Sequence, residues 1–229
     1  MPAGRENVLI VLHRCIFLDG TRGCLWIEIP ARAYHSNMET PFKNAGTAAF
    51  DAILSRRTAH AYRDQPVPSG VMARALEAAN HAPCHKRTYP WRFIRVGPRS
   101  RQVLAELAVA LKGASRPLTP EDAVRVSAKI IEPPELVVAC QCRAADAFRA
   151  KEDYAACSCA IQNFCISLAG EDVASKWSTG ALTRDLRAWS IFGVDPGQEE
   201  VIGFLWAGYA DPTPPVQRPP LSGVVRSIP

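Results

Sequence analysis

Three short segments of this chain carry groups that can grip an anion or a flat ligand. Arg56-Arg57-Thr58 sets two guanidinium forks beside a hydroxyl. Planar donors of that kind meet the oxygens of a phosphate monoester in pairs, through charge-assisted hydrogen bonds. The same arginines fall at the end of a predicted helix, where they would also complement the negative end of its dipole. His81-Ala82-Pro83-Cys84-His85-Lys86 gathers two imidazoles and an ammonium in a predicted loop. Loops held by a scaffold are where ligand contacts concentrate, although a solvated basic loop has the same composition. Trp177-Ser178-Thr179-Gly180-Ala181-Leu182 ends a predicted strand and opens a helix. It offers hydroxyls, backbone N–H groups and an aromatic face to an anionic or planar ligand. No acid–base pair or catalytic triad stands out.

The eight cysteines, at 15, 24, 84, 140, 142, 157, 159 and 165, raise metal binding as a competing chemistry. Their spacing lacks the paired C-x2-C, or the C-x2-C followed by H-x3-H, of tetrahedral sites. Cys140 and Cys142 fall on one face of a predicted strand, whereas Cys157 and Cys159 on a helix diverge by about 200°. Reduced thiols and no metal are expected, which suits a cytoplasmic compartment. A cysteine-rich metal-binding regulator is the last-ranked alternative, and metal analysis would expose it.

Those segments need a packed scaffold to position them. Apolar residues make up 48% of the 229-residue chain and charged residues 21%, an ordinary globular composition with room for one domain. The net charge of +5 is spread along the chain, so it favours small anions slightly and gives no nucleic-acid footprint. The apolar runs are too short and interrupted to span a bilayer, so no membrane partner is expected. Residues 1–37 have apolar pieces at Val8 to Leu12 and Ile16 to Leu18, but Arg14, Asp19, Arg22 and Glu28 break any signal-peptide core. Met38 precedes the first clean helical pattern, so residues 1–37 read as an extra N-terminal segment and 38–229 as the domain. An intact mass that includes residues 1–37 in the natively expressed protein would sink a start at Met38.

From Thr47, a plausible N-cap, Phe50, Ile53, Leu54 and Arg57 recur at helical spacing and predict a first helix. The prolines at 66 and 68 end that pattern, and Ser69 can cap a second helix with Met72, Ala75, Leu76 and Ala79 on one face. The loop His81 to Pro90 leads to a strand over Trp91 to Val96, a helix over Ser100 to Leu111, and another helix capped by Thr119 with Pro120 behind it. Leu136-Val137-Val138-Ala139 is the continuous apolar run of a strand covered on both faces, within Glu135 to Cys142. Phe148 to Ala169 is the longest helix, with Tyr154, Cys157, Ile161, Phe164, Cys165 and Leu168 as the core spine. Val173 to Trp177 and Val201 to Tyr209 read as strands, Thr183 caps a helix through Phe192, and Asp211 to Pro229 is proline-rich and extended. Interleaved helices and strands predict a layered αβα domain.

In this order and at these separations the segments resemble the nitroreductase family, most closely its small YdjA-like branch. The resemblance runs from about Ala49 to Val225 and rests on "SRRTAHAY", "HAPCHKRTYPWRFIRV", "EPPELVVACQC", "EDYAACSCAIQNFCISLAG", "KWSTGAL" and "EEVIGFLWAGY". It implies an α+β, three-layer αβα fold with a central mixed or antiparallel sheet and an extended C-terminal tail. It implies bound FMN, NAD(P)H as electron donor, and a homodimer with FMN at the subunit interface. The cofactor residues carried over are Arg56, Arg57, Thr58, His81, His85, Trp177, Ser178, Thr179 and Arg218. No catalytic side chain is implied, because the chemistry resides on the flavin.

The expected reaction is ping-pong: NAD(P)H delivers a hydride and leaves, and an electron-poor acceptor such as a nitro compound or quinone then takes its place. Three departures from the family pattern stand out. Threonine at 58 replaces serine, Ser178 replaces a larger basic residue, and Gly170-Glu171-Asp172-Val173 replaces a glycine-rich turn. Carboxylates at 171 and 172 would oppose a phosphate-bearing donor, which motivates a second reading, a flavin-binding protein with little turnover.

Overall fold

The structure is a computed structural model that describes residues 45–212, 215 and 217–228. The extra segment 1–37, the alternative start at Met38, Cys15 and Cys24 lie outside the described residues. Four strands form the sheet: β1 (Trp91–Arg95), β2 (Glu135–Cys142), β3 (Ala174–Ser178) and β4 (Glu199–Gly208). Their order is β1-β2-β4-β3 with every neighbour antiparallel. β2 and β4 are central because their apolar runs leave no face for water: Leu136 to Cys140 are buried, as are Val201, Ile202 and Phe204 to Ala207.

Among the described residues seven α-helices pack around the sheet: α1 (Ala45–Ser55), α2 (Ser69–Asn80), α3 (Pro98–Ser115), α4 (Pro120–Ile131), α5 (Ala147–Ala169), α6 (Ala181–Arg184) and α7 (Leu186–Phe192). Side chains alternate across each strand, so one face gathers Val137, Ala139 and Leu205 with α2 and α5. The other gathers Leu136, Val138, Phe204 and Trp206 with α3, α4 and α7. The chain is therefore α+β in three layers, as expected. α5 is the spine, with Cys157, Ile161, Phe164, Cys165 and Leu168 all buried. Thr119 caps α4, accepting from Asp122 N at 3.2 Å. Buried Arg101 reaches from α3 to the far end of α4, donating to the carbonyls of Ile130, Ile131, Pro133 and Pro134.

Several local expectations are corrected. Thr47 lies inside α1 rather than capping it, the helix ends at Ser55 before Arg57, and Phe50, Ile53 and Leu54 on its apolar stripe are exposed at 58%, 49% and 56%. Helical periodicity identifies an apolar face without saying what covers it. Tyr154 is exposed although it shares the spacing of the α5 spine. Thr183 is not the N-cap of the helix through Phe192: it is the buried third residue of α6, its hydroxyl accepting from Gly180 N at 3.1 Å, and Asp185 caps α7 by accepting from Arg187 N at 2.9 Å.

Candidate functional site

Two candidate segments meet at the open edge of the sheet. Beyond α1 the chain runs beside β3, where Thr58 forms a parallel bridge with Ser175 and Ser175 N donates to Arg57 O at 3.4 Å. That bridge sets Arg56-Arg57-Thr58 next to the strand that ends in Trp177 and Ser178. Arg57 Nη1 donates to Leu54 O (2.7 Å) and Arg56 O (3.2 Å), which fits the helix-end reading. Its Nε is buried and has no partner among the described residues. A stranded donor of this kind costs about 1–3 kcal/mol until an acceptor arrives. Arg57 also lines a cavity of about 380 Å³ with Arg63, Asp172, Ala174, Tyr209 and others. Arg56 Nη1 donates to Thr58 Oγ1 at 3.5 Å, so guanidinium and hydroxyl face one another. These donors suit the phosphate of a mononucleotide.

Trp177 lies across the backbone of β4, donating from Nε1 to Ile202 O at 3.3 Å. Only glycine permits this pose, because a Cβ at Gly203 would fall 1.9 Å from that nitrogen. Tyr154 stands against the indole with ring centroids 6.5 Å apart. Sequence reasoning assigned Tyr154 to the core, and no signal at that position distinguishes the two roles. Trp177, Thr179 and Gly180 are all exposed. Ser178 points to the opposite face of the sheet, where its Oγ accepts from Trp206 Nε1 at 2.8 Å.

The basic loop is tied to α5. Thr88 donates to the buried Asp153 carboxylate at 2.7 Å, and Tyr89 N donates to Cys84 Sγ at 3.2 Å. Lys86, Arg87 and Tyr89 hold φ values of 57°, 55° and 43°, a left-handed backbone that non-glycine residues adopt at a cost. His85 Nε2 comes to 4.0 Å from Glu152 Oε1, two residues before Tyr154. His81 instead turns back on its own helix, its Nδ1 lying 2.9 Å from Glu77 O. Arg218 is exposed, and its guanidinium donates to the neighbouring Gln217 O at 3.3 Å. Neither His81 nor Arg218 is joined by a hydrogen bond or ion pair to the other candidates among the described residues.

The turn after α5 carries one paired and one unpaired carboxylate among the described residues. Glu171 is held in a two-pronged pair by Arg74, at 2.8 and 2.5 Å. Arg74's hydrogen bond and charge keep the Glu171 carboxyl below its ordinary pKa. Asp172 adopts φ 58° and lines the cavity shared with Arg57 and Arg63. Arg74 therefore matches the charge of Glu171, while Asp172 has no ion-pair partner among the described residues.

An antiparallel sheet between helical layers, with an arginine-rich segment and an aromatic strand end at one edge, defines a layered α+β domain. The sequence profile of the nitroreductase family matches residues 53–209. The chain belongs to the nitroreductase family. It is similar to YfhC of Bacillus subtilis, named an NAD(P)H nitroreductase, at 30% identity over 73% of this chain and 87% of that one. Similarity to YdjA of Escherichia coli K12, also named an NAD(P)H nitroreductase, is 26% over 70% and 87%. Among solved structures, a Desulfovibrio desulfuricans protein described as a nitroreductase in complex with FMN superposes with a TM-score of 0.65 at 18% identity, over 79% of this chain and 96% of that one. At that identity the likeness speaks for the fold.

Proposed function

We propose that the chain is an FMN-dependent oxidoreductase that uses NAD(P)H to reduce electron-poor small molecules such as nitro compounds or quinones. Membership of the family, the NAD(P)H nitroreductase relatives and the FMN complex of like fold support the class. The observation that carries the assignment to this chain is the unpartnered, buried Arg57 Nε beside Arg56 and Thr58. Bound FMN would supply the redox chemistry, accepting a hydride from the nicotinamide and passing two electrons to the acceptor.

The protein's share is grip and shape. Arg56, Arg57 and Thr58 hold the phosphate, and Arg218 reaches it from the tail. Trp177 and Thr179 lie along the ring, Ser178 through its backbone because its hydroxyl is taken by Trp206, with His81 and His85 as further contacts. Donor and acceptor use one cleft in turn. Arg74's hold on Glu171 removes much of the motive for a flavin binder without turnover, since that carboxylate is not free to repel the donor.

The working unit is a homodimer. The exposed α1 face (Phe50, Ile53, Leu54) is apolar surface of the kind a partner subunit covers, and it leads directly into Arg56. Ile53→Asp should give a monomer in gel filtration with light scattering, and that monomer should lose its flavin. A flavin-loaded monomer would refute the interface site. For the phosphate grip, Arg57→Ala should weaken FMN binding about 10- to 100-fold, the worth of one charge-assisted hydrogen-bonding group. Unchanged affinity in a fluorescence titration with FMN would remove Arg57 from the site.

A further inference from the structure

On the face of the sheet away from α5, a cavity of about 480 Å³ opens between α3, α4 and the ends of β3 and β4. Phe204 and Trp206 give it an aromatic wall, and the Ser178 hydroxyl fixes the Trp206 indole. Three ammonium-bearing side chains line it: Lys112 from α3, Lys129 from α4 and Lys176 from β3. Lys112 and Lys129 are exposed, as at a rim, while Lys176 is half-buried with its Nζ 5.7 Å from the Trp206 ring centroid.

No carboxylate lines the cavity. The nearby ion pairs, Arg116 with Asp122 and Arg95 with Glu135, leave the lysines out, and none of the three has an acidic partner among the described residues. Burial, and then the charge of Lys129, push the Lys176 pKa down. Like charges facing one partly apolar hollow are unfavourable until an anion joins them. The half-buried side chains of Leu111, Val126 and Leu182 add apolar lining against which the body of a small organic anion can pack.

We propose that this cavity binds a small aromatic acid, with its ring against the apolar lining of Leu111, Val126 and Leu182 and its carboxylate among Lys176, Lys129 and Lys112, so that the enzyme prefers acceptors bearing a carboxylate. This rests on the reading of Ser178 and Thr179 as flavin neighbours, because the same two residues line the cavity and would bring the acid beside the ring. Charge complementarity sets the preference: the lysines would reject a cationic analogue and gain little from a neutral one.

The test is calorimetric titration of the purified, flavin-loaded protein with benzoate, benzyl alcohol and inorganic phosphate, repeated on Lys176→Met, Lys129→Met and Lys176→Arg. Benzoate should bind at least about tenfold tighter than benzyl alcohol, and each methionine variant should lose about tenfold for benzoate alone, as expected for one charge-assisted contact. Lys176→Arg should retain benzoate binding, and all three variants should keep the wild-type flavin absorbance. Equal affinity for benzoate and benzyl alcohol, phosphate binding tighter than benzoate, or full benzoate affinity in Lys176→Met would each overturn the proposal. So would loss of flavin from the methionine variants, which would assign the lysines to the cofactor. A wild-type protein that takes up no FMN yet binds benzoate through these lysines would sink the proposed function while leaving the acid site standing. A flavin-loaded protein indifferent to the carboxylate would sink only the acid site.

Discussion

Replacing Gly203 with alanine should dislodge Trp177, and the expected size of the effect follows from the geometry. The added methyl carbon would fall 1.9 Å from Trp177 Nε1, 2.4 Å from Cδ1 and 3.2 Å from Cε2, so the indole must leave the backbone of β4. That movement breaks the 3.3 Å hydrogen bond to Ile202 O and the approach of Tyr154. The bond is worth about 1 kcal/mol, and overpacking commonly costs about 1–3 kcal/mol. Alanine recovers some of this, about 0.5–1 kcal/mol, by restricting the unfolded chain. Gly203→Ala should therefore cost about 1–3.5 kcal/mol in urea unfolding and weaken FMN binding, because Trp177 would no longer be held at the ring. If the clash is the cause, Trp177→Ala should relieve it, and the double-mutant cycle should show coupling of about 1 kcal/mol or more. An equal loss in the Trp177→Ala background, or no loss in either, would refute the reasoning.

Other perturbations test the frame around the site. Arg101→Met should lower stability by about 3 kcal/mol in urea unfolding, because it strands a group of buried carbonyls at the end of α4. Arg74→Gln should lower Tm near neutral pH and converge with the wild type in acid. Glu171's folded pKa is depressed by Arg74, so its contribution is full above the unfolded carboxylate pKa and is lost as pH falls through the folded value. Of the described cysteines, thiol titration of the native protein at pH 8 should label exposed Cys159 first, while Cys140 and Cys157, each pushed up to about 12 mainly by burial, and buried Cys165 should react only after unfolding.

Much of the scaffold was legible because its signals are local. The apolar run Leu136 to Ala139 marks β2 to the residue, and the spacing of Ile161, Phe164, Cys165 and Leu168 marks α5. What failed depended on partners far away in sequence. Phe50, Ile53 and Leu54 have helical spacing but are left exposed by the described residues, and Tyr154 belongs to the core by spacing but to Trp177 by position. The candidate segments stood out by residue type, yet type did not tell that Arg57 keeps a buried donor free or that Arg74, 97 residues before Glu171, neutralises it. The lysines at 112, 129 and 176 carry no motif, and only the crossing of α3, α4 and β3 gathers them.

The visible absorption spectrum of the purified protein, before and after anaerobic addition of NADH or NADPH, tests the central claim most directly. The account predicts a flavin spectrum that bleaches with a nicotinamide donor and returns when an acceptor is added. A colourless protein that cannot be reconstituted with FMN would contradict it, and a flavin spectrum that neither donor bleaches would leave a binding protein in place of an enzyme.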